Sequence, residues 1–402
     1  MHSRHWQLHA LAAAALLFAA PAAAQTDSAV ARTQRNLLAW TQRDGFRLVD
    51  SIADAEFAKD SLGSITIAVV NGRELVWSKS YGFMDRQRTQ RATPAAVYRI
   101  ASVTKQFTAI ALMQLVDKKV VRLSDPVDQY VPEIRTVRGL VRPPSLVQLA
   151  TMTSGLARDA RDPGDRRRFQ HSPIDHWMDS LFSALPVTEA VSEPGVAYRY
   201  SNVGYAILGA AISRAAKKPF VDYVRANVIR ALGMTSTDYV LSTAMRSRLT
   251  TGVDYDVLVK DSLNYDDAAD SHRNGVGLGV AVGALYSTVG DLAKLVSLEL
   301  GFGPDSVLSA AASATRDAVP LAADPTIVYG YGLGTQTNRW SDTTATGHSG
   351  NVSGYTSQIY YDRARGYGVI VLRSAGGGQA DASRLAGRAF RKLVSLERGV
   401  RP

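Results

Sequence analysis

The chain reads as strand at its two ends and helix between them, and this distribution limits its fold more than any other feature. Ser64-Ile-Thr-Ile-Ala-Val-Val70 is a continuous apolar run of the length of one buried strand. Asn71-Gly72 follows, a pair suited to the positive φ of a two-residue hairpin turn, and Glu74–Tyr81 predicts the returning strand. Strand texture then fades and comes back only after Tyr329. Thr343–His348, Tyr355–Tyr361 and Gly366–Leu372 predict three more strands, the last two joined by a turn at Asp362-Arg363-Ala364-Arg365. Strands at both ends with a helical middle predict one discontinuous α/β domain interrupted by a helical insertion.

The helices carry their own signals. Phe46, Val49, Ile52, Ala53 and Phe57 recur at helical spacing over 46–59. Phe107–Val116 is apolar nearly all round, which predicts a buried helix. The stretch up to Leu300 is helix and irregular loop, punctuated at Pro143-Pro144, Pro163-Gly164 and Pro194-Gly195, and an amphipathic helix over Ala382–Leu396 closes the chain. The fold class is therefore α/β in the two-lobed, α+β sense. Its α/β lobe covers about 46–101 plus 325–398, and its helical lobe about 102–324. A cleft between such lobes is a natural place for a site.

The first 24 residues read as an address. Arg4 gives a basic start, Leu11–Ala20 is a short apolar run, and Pro21 precedes Ala22-Ala23-Ala24 ahead of Gln25, an A-x-A cleavage pattern. The run is shorter than the ~20 residues a membrane span requires, and no later segment is long and apolar enough. The expectation is a signal peptide over 1–24, an N-terminal segment over 25–45, and export to a periplasm or outside the cell. Losing Arg4 lowers the formal charge from +10 to +9.

Composition then removes several kinds of chemistry. With no cysteine there is no disulfide scaffold, thiolate metal site or cysteine nucleophile. Of seven histidines, only His171, His176, His272 and His348 lie beyond the leader, in no metal-ligand spacing, so a catalytic zinc site is not expected. The densest basic stretch, Arg158–Arg168, is interleaved with Asp159, Asp162 and Asp165. It reads as a solvated loop and not as a nucleic-acid surface.

Three short constellations could carry a reaction. The first is Ser102-Val-Thr-Lys105, at the start of the buried helix. Residues three apart share a helical face, so the amine can reach the hydroxyl and serve as its base once burial lowers its pKa. Alone, the motif also fits a helix-capping serine followed by a surface lysine. The second is Tyr200-Ser-Asn202, where a phenol could shuttle a proton and an amide could hold a substrate; a loop-to-helix cap fits it too. The third is His348-Ser349-Gly350 followed by Asn351, at the end of a predicted strand. There Gly350 would let a substrate backbone approach and the Asn351 N–H could join that of Ser102 as an oxyanion donor. A polar strand end with an exposed His348 is the plain alternative.

Taken in this order, Ser-x-x-Lys, Tyr-x-Asn and a His/Lys-Ser/Thr-Gly strand resemble the class C β-lactamase-like serine hydrolases. These include penicillin-recognising D,D-peptidases, D-amino-acid peptidases and esterases. The resemblance extends through Ile65–Tyr81, Tyr98–Gln114, Leu123–Val127, Val147–Leu156, Leu285–Ala293 and Tyr331–Gly334, and covers about residues 46–396. It implies a mixed, mainly antiparallel sheet flanked by helices, with an inserted all-helical subdomain.

By that resemblance Ser102 is the acylated nucleophile and Lys105 its base, and the reaction needs no metal or organic cofactor. Tyr200 relays the proton to the leaving group and helps water attack the acyl-enzyme. Asn202 binds the substrate amide, and Ser349, Gly350 and Asn351 line the substrate strand. His348 stands where true β-lactamases of this class carry a lysine, and a largely neutral imidazole there favours a peptidase or esterase over a β-lactamase. Met152 replaces a more usual histidine, a change expected to affect packing only. The expected function is an exported serine hydrolase that cleaves an ester or amide, on D-amino-acid or related substrates. The alternatives are a true β-lactamase or low-molecular-mass penicillin-binding D,D-carboxypeptidase, and a non-catalytic muropeptide or β-lactam sensor. The partner is a small-molecule or peptide substrate, with no nucleic acid, no stable membrane span and the oligomeric state left open.

Overall fold

The structure is a computed structural model that describes residues 22–160, 172–255, 263–266, 277–323 and 329–399. Its strands are β1 (Ser64–Asn71), β2 (Glu74–Gly82), β3 (Tyr98–Arg99), β4 (Gly252–Tyr255), β5 (Leu263–Asp266), β6 (Tyr286–Ser287), β7 (Ala322–Ala323), β8 (Tyr329–Tyr331), β9 (Gln336–Arg339), β10 (Thr344–Val352), β11 (Tyr355–Asp362), β12 (Tyr367–Arg373) and β13 (Ala375–Gly376). Eight of them form one sheet in the order β2-β1-β12-β11-β10-β9-β8-β7. Every pairing in that sheet is antiparallel. The parallel pairing joins β13 to β4 in a separate three-stranded sheet. The two ends of the chain meet at β1–β12, where Ile67 lies opposite Val371 and Val69 opposite Val369.

β1 is buried along its whole length because both faces of the sheet are covered. Ile65, Ile67 and Val69 enter one core, with Tyr367, Val369 and Val371 of β12. Ala68 and Val70 enter the other, with Ile370 and Leu372. Six longer helices organise these cores: α1 (Ala22–Gln42), α2 (Gly45–Phe57), α3 (Thr104–Asp117), α4 (Asn202–Ala216), α5 (Val289–Glu299) and α6 (Ala382–Glu397). Trp40 of α1, Val49 and Ala53 of α2, and Leu385, Phe390 and Leu393 of α6 cover the first face. α5, from the middle of the chain, lies against the opposite face through β1, β2 and β12. α3 runs through the second core with every side chain from Thr104 to Leu115 buried, as the all-round apolar pattern from Phe107 requires.

The sequence places the strand holding the third constellation at Thr343–His348, but β10 continues to Val352. Its last residues are polar or glycine and show no apolar alternation. They are strand because they pair with β11, Gly350 opposite Ser357 and Asn351 opposite Thr356. The His348–Asn351 segment is therefore a stretch of paired strand with one side toward β9. β9 itself, Gln336-Thr-Asn-Arg339, is half-buried and too polar to read as strand; its ladder to β10 at 344–347 forms it.

Among the described residues no helix is long and apolar enough to cross a membrane. Residues 1–21, with most of the expected leader, lie outside the described part. So do His171, His272, most of the Arg158–Arg168 stretch, and parts of the loops 157–192 and 252–280.

Candidate active site

The first constellation sits on a bend. β3 ends at Arg99, and Ala101 takes φ +48°, a left-handed conformation that a residue with a Cβ holds only when its surroundings impose it. A single 3-10 turn over Ala101–Val103 carries Ser102 and leads directly into α3. β10 imposes the bend. A Cβ added at Gly350 would stand 2.4 Å from the Ile100 carbonyl oxygen and 2.3 Å from Ser357 Oγ, and the Ser357 hydroxyl donates to that same carbonyl at 2.8 Å. What approaches Gly350 is the chain's own turn before Ser102, where the sequence reading expected a substrate backbone. Gly350→Ala is accordingly expected to lower stability by about 1–3 kcal/mol in chemical denaturation, through overpacking. It should reduce activity as well, because one of the two atoms in the way is the Ile100 backbone carbonyl and the turn carrying Ser102 must move.

Lys105 is completely buried, and its Nζ has three neighbours: Ser102 Oγ at 3.1 Å, Asn202 Oδ1 at 3.0 Å and the Val282 carbonyl at 3.2 Å. The amide and backbone carbonyl oxygens can only accept, so they take two N–H bonds. The remaining position faces Ser102. Burial holds the Lys105 pKa well below the ordinary lysine value, helped by the field of Arg158 and opposed by Asp159. In the neutral amine that remaining position is a lone pair, and the Ser102 hydroxyl donates to it.

The second constellation starts α4. Ser201 is its N-cap, with Oγ accepting from the Gly204 N–H at 2.9 Å. Because Ser201 caps the helix, the Asn202 amide is left for Lys105 on one side and donates from Nδ2 to Asp159 at 2.7 Å on the other. Asn202 thus anchors the lysine, a contact that the sequence reading did not include. Met152 does more than pack: its carbonyl accepts from the Arg199 N–H at 2.7 Å and its thioether from the Ser201 N–H at 3.2 Å. These two bonds bracket Tyr200. The Lys105 ammonium position lies 4.9 Å from the centre of the half-buried Tyr200 ring and 5.6 Å from that of Tyr205. Ser102, Lys105, Tyr200 and Asn202 therefore share one pocket.

The third constellation divides. His348 is buried rather than exposed, 6.3 Å between ring centres from Tyr200. Its Nδ1 bonds the Ser349 carbonyl, an acceptor, so Nδ1 carries the proton and Nε2 accepts from the Tyr331 hydroxyl at 2.9 Å. Burial, with the nearby Lys105, pushes the imidazole down to about 3. His348 therefore carries no charge at neutral pH. The unfolded imidazole, near 6.5, binds more protons than the folded one between these values. Its contribution to stability is complete above about pH 6.5 and is lost as pH falls toward 3. Denaturation at pH 7 and pH 5 is expected to show a smaller drop for His348→Gln than for the parent protein.

Ser349 points its N–H and hydroxyl at Gln336 Oε1, at 3.1 and 3.2 Å. Its N–H therefore faces the β9 side of β10. Asn351 is exposed, and its N–H, two residues further along the strand, faces the same side beyond the start of β9 at Gln336. Among the described residues no group of three or more His, Asp or Glu side chains is arranged to hold a metal ion. The participants that the sequence reading missed are Arg158, Asp159 and Tyr331. Tyr331 had a signal in the Tyr331–Gly334 segment, whereas Arg158 and Asp159 were hidden in a charged loop.

A family profile described as Beta-lactamase matches residues 49–392. The chain belongs to the β-lactamase family. Members of this family are serine hydrolases. Among curated relatives, this β-lactamase-family chain is 29% identical over 252 residues to the D-alanyl-D-alanine-carboxypeptidase/endopeptidase AmpH of Escherichia coli K12, covering 61% of the chain and 60% of that protein. It is 24% identical over 336 residues to Protein flp of Staphylococcus aureus, covering 82% of the chain and 63% of that protein. The chain thus spans about three-fifths of the length of these relatives. The fold matches the octameric penicillin-binding protein homologue from Pyrococcus abyssi, with TM-score 0.73 and 24% identity over 87% of this chain and 77% of that one. It also matches the β-lactamase/D-alanine carboxypeptidase from Pseudomonas syringae, with TM-score 0.71 and 16% identity over 88% and 99% of the two chains. A D-stereospecific amidohydrolase from Streptomyces gives TM-score 0.66 and 21% identity over 87% and 97%.

Proposed function

We propose that this protein is an exported serine hydrolase that cleaves an ester or amide through an acyl-enzyme on Ser102, acting on D-amino-acid or related substrates. The observation that carries this reading is the buried Lys105 amine, whose third coordination position meets the Ser102 hydroxyl at 3.1 Å. In the proposed first step Ser102 Oγ bonds to the substrate carbonyl carbon and its proton passes to Lys105. The N–H groups of Ser102 and Asn351 hold the oxyanion. When the carbon–leaving-group bond breaks, the proton reaches the departing amine or alkoxide by way of Tyr200. Water then attacks the ester and Ser102 regains its proton. The catalytic unit is about 46–398, preceded by a leader over 1–24 and a segment over 25–45.

The activities for which AmpH and the Streptomyces amidohydrolase are named support the D-amino-acid preference. The neutral His348 supports a peptidase or esterase over an efficient β-lactamase, because no fixed cation stands at that position for a β-lactam carboxylate. Parallel assays on p-nitrophenyl esters, D-alanyl-D-alanine peptides and nitrocefin test the reading. Turnover of the esters or peptides well above nitrocefin is expected; nitrocefin as the best substrate would contradict it.

A further inference from the structure

With His348 neutral and Lys105 buried and depressed, neither of these two site residues offers a free cation. Arg158 does. Its backbone carbonyl accepts from the Asn202 N–H at 2.7 Å and the Val203 N–H at 3.4 Å, so the residue is fixed to the same helix start that presents Tyr200 and Asn202. Its guanidinium carbon lies 4.9 Å from the centre of the Tyr200 ring, the same distance as Lys105 Nζ. The side chain is 65% exposed, and among the described residues its ion-pair contact is with the adjacent, 46% exposed Asp159 at 3.3 Å. Such a pair contributes about 0–1 kcal/mol in water, and Asp159 is also engaged by Asn202 Nδ2. A planar, charged and largely exposed group beside the Tyr200 ring is suited to a carboxylate, which a guanidinium can grip with two parallel N–H bonds.

We infer that Arg158 is the specificity residue that recognises a free carboxylate on the substrate. The inference rests on the hydrolase reading above and names the substrate feature that reading leaves open. Arg158 binds and the chemistry stays with Ser102 and Lys105. An effect on Lys105 alone would alter all substrates alike, whereas recognition of a carboxylate alters only those that carry one.

The test compares N-acetyl-D-alanyl-D-alanine with its C-terminal amide, which share the scissile bond and differ in one charge. An ester pair, p-nitrophenyl hemisuccinate and p-nitrophenyl butyrate, is run beside them. The quantity read is the ratio of kcat/KM for the anionic over the neutral member, which does not depend on how much of a variant is folded. In the parent protein the ratio should favour the carboxylate. In Arg158→Gln it should fall about tenfold, mainly through KM, and Arg158→Lys should restore part of it. The same ratio in parent and Arg158→Gln overturns the role of Arg158 while leaving the hydrolase intact. Absence of turnover and of any Ser102 adduct with all four compounds overturns the hydrolase reading, and this inference with it.

Discussion

Ser102→Ala is expected to lower kcat by at least about 10⁴-fold on any substrate the protein turns over, and to remove all covalent labelling by a fluorophosphonate probe. Removing a nucleophile eliminates the two-step route altogether, and residual rate comes only from binding and oxyanion stabilisation. The fold should survive. Ser102 is only half-buried, and its turn is held by the Ile100 carbonyl bond to Ser357 and by the packing of Gly350 on Ala101. A denaturation midpoint close to the parent value, together with absent labelling, is the expected pair of results. Labelling that persists in Ser102→Ala would show that another residue is the nucleophile.

Lys105→Met should cost about 10²–10⁴-fold in kcat, the usual range for a lost general base. Methionine keeps the buried stem and leaves Ser102 facing no acceptor. Lys105→Arg is expected to be equally inactive despite its charge, because a guanidinium is not deprotonated in a protein and cannot accept the serine proton. This result separates a base from a cation: a mere electrostatic role would be rescued by arginine. The pH dependence follows in sign. Burial holds the Lys105 pKa below the ordinary value, so kcat/KM should fall as pH is lowered through that depressed pKa and the amine becomes charged. His348 adds no step near pH 6.5, since its imidazole is already neutral well below it. An active Lys105→Arg would contradict the assignment.

Much of this site was legible in the sequence, for reasons that can be named. A lysine three residues after a serine, with apolar flanks, predicts a buried amine on the same helical face, and Lys105 is fully buried against Ser102. The strands β1 and β12 were legible because both faces of the sheet are covered, which leaves near-continuous apolar runs. The end of β10 was not, because pairing alone makes Ser349–Val352 a strand. Gly350 illustrates a different loss. Its chemistry says only that something comes close, and the fold decides that this is the Ile100–Ala101 turn. The hold of Asn202 on Lys105 and Asp159 was not legible, because nothing in its neighbours reveals that Ser201 takes the cap and frees the amide. Met152 and Arg158 act on Tyr200 through contacts between segments 42 to 49 residues apart, and a linear pattern carries no trace of such contacts.

The most direct measurement is rapid-quench intact-mass spectrometry of the parent protein mixed with p-nitrophenyl butyrate or an N-acetyl-D-alanyl-D-alanine ester, followed by peptide mapping. The account predicts a transient mass increase equal to the acyl group, located on Ser102. Substrate turnover with the acyl group on any other side chain, or with none trapped on Ser102 at any time point, would contradict it.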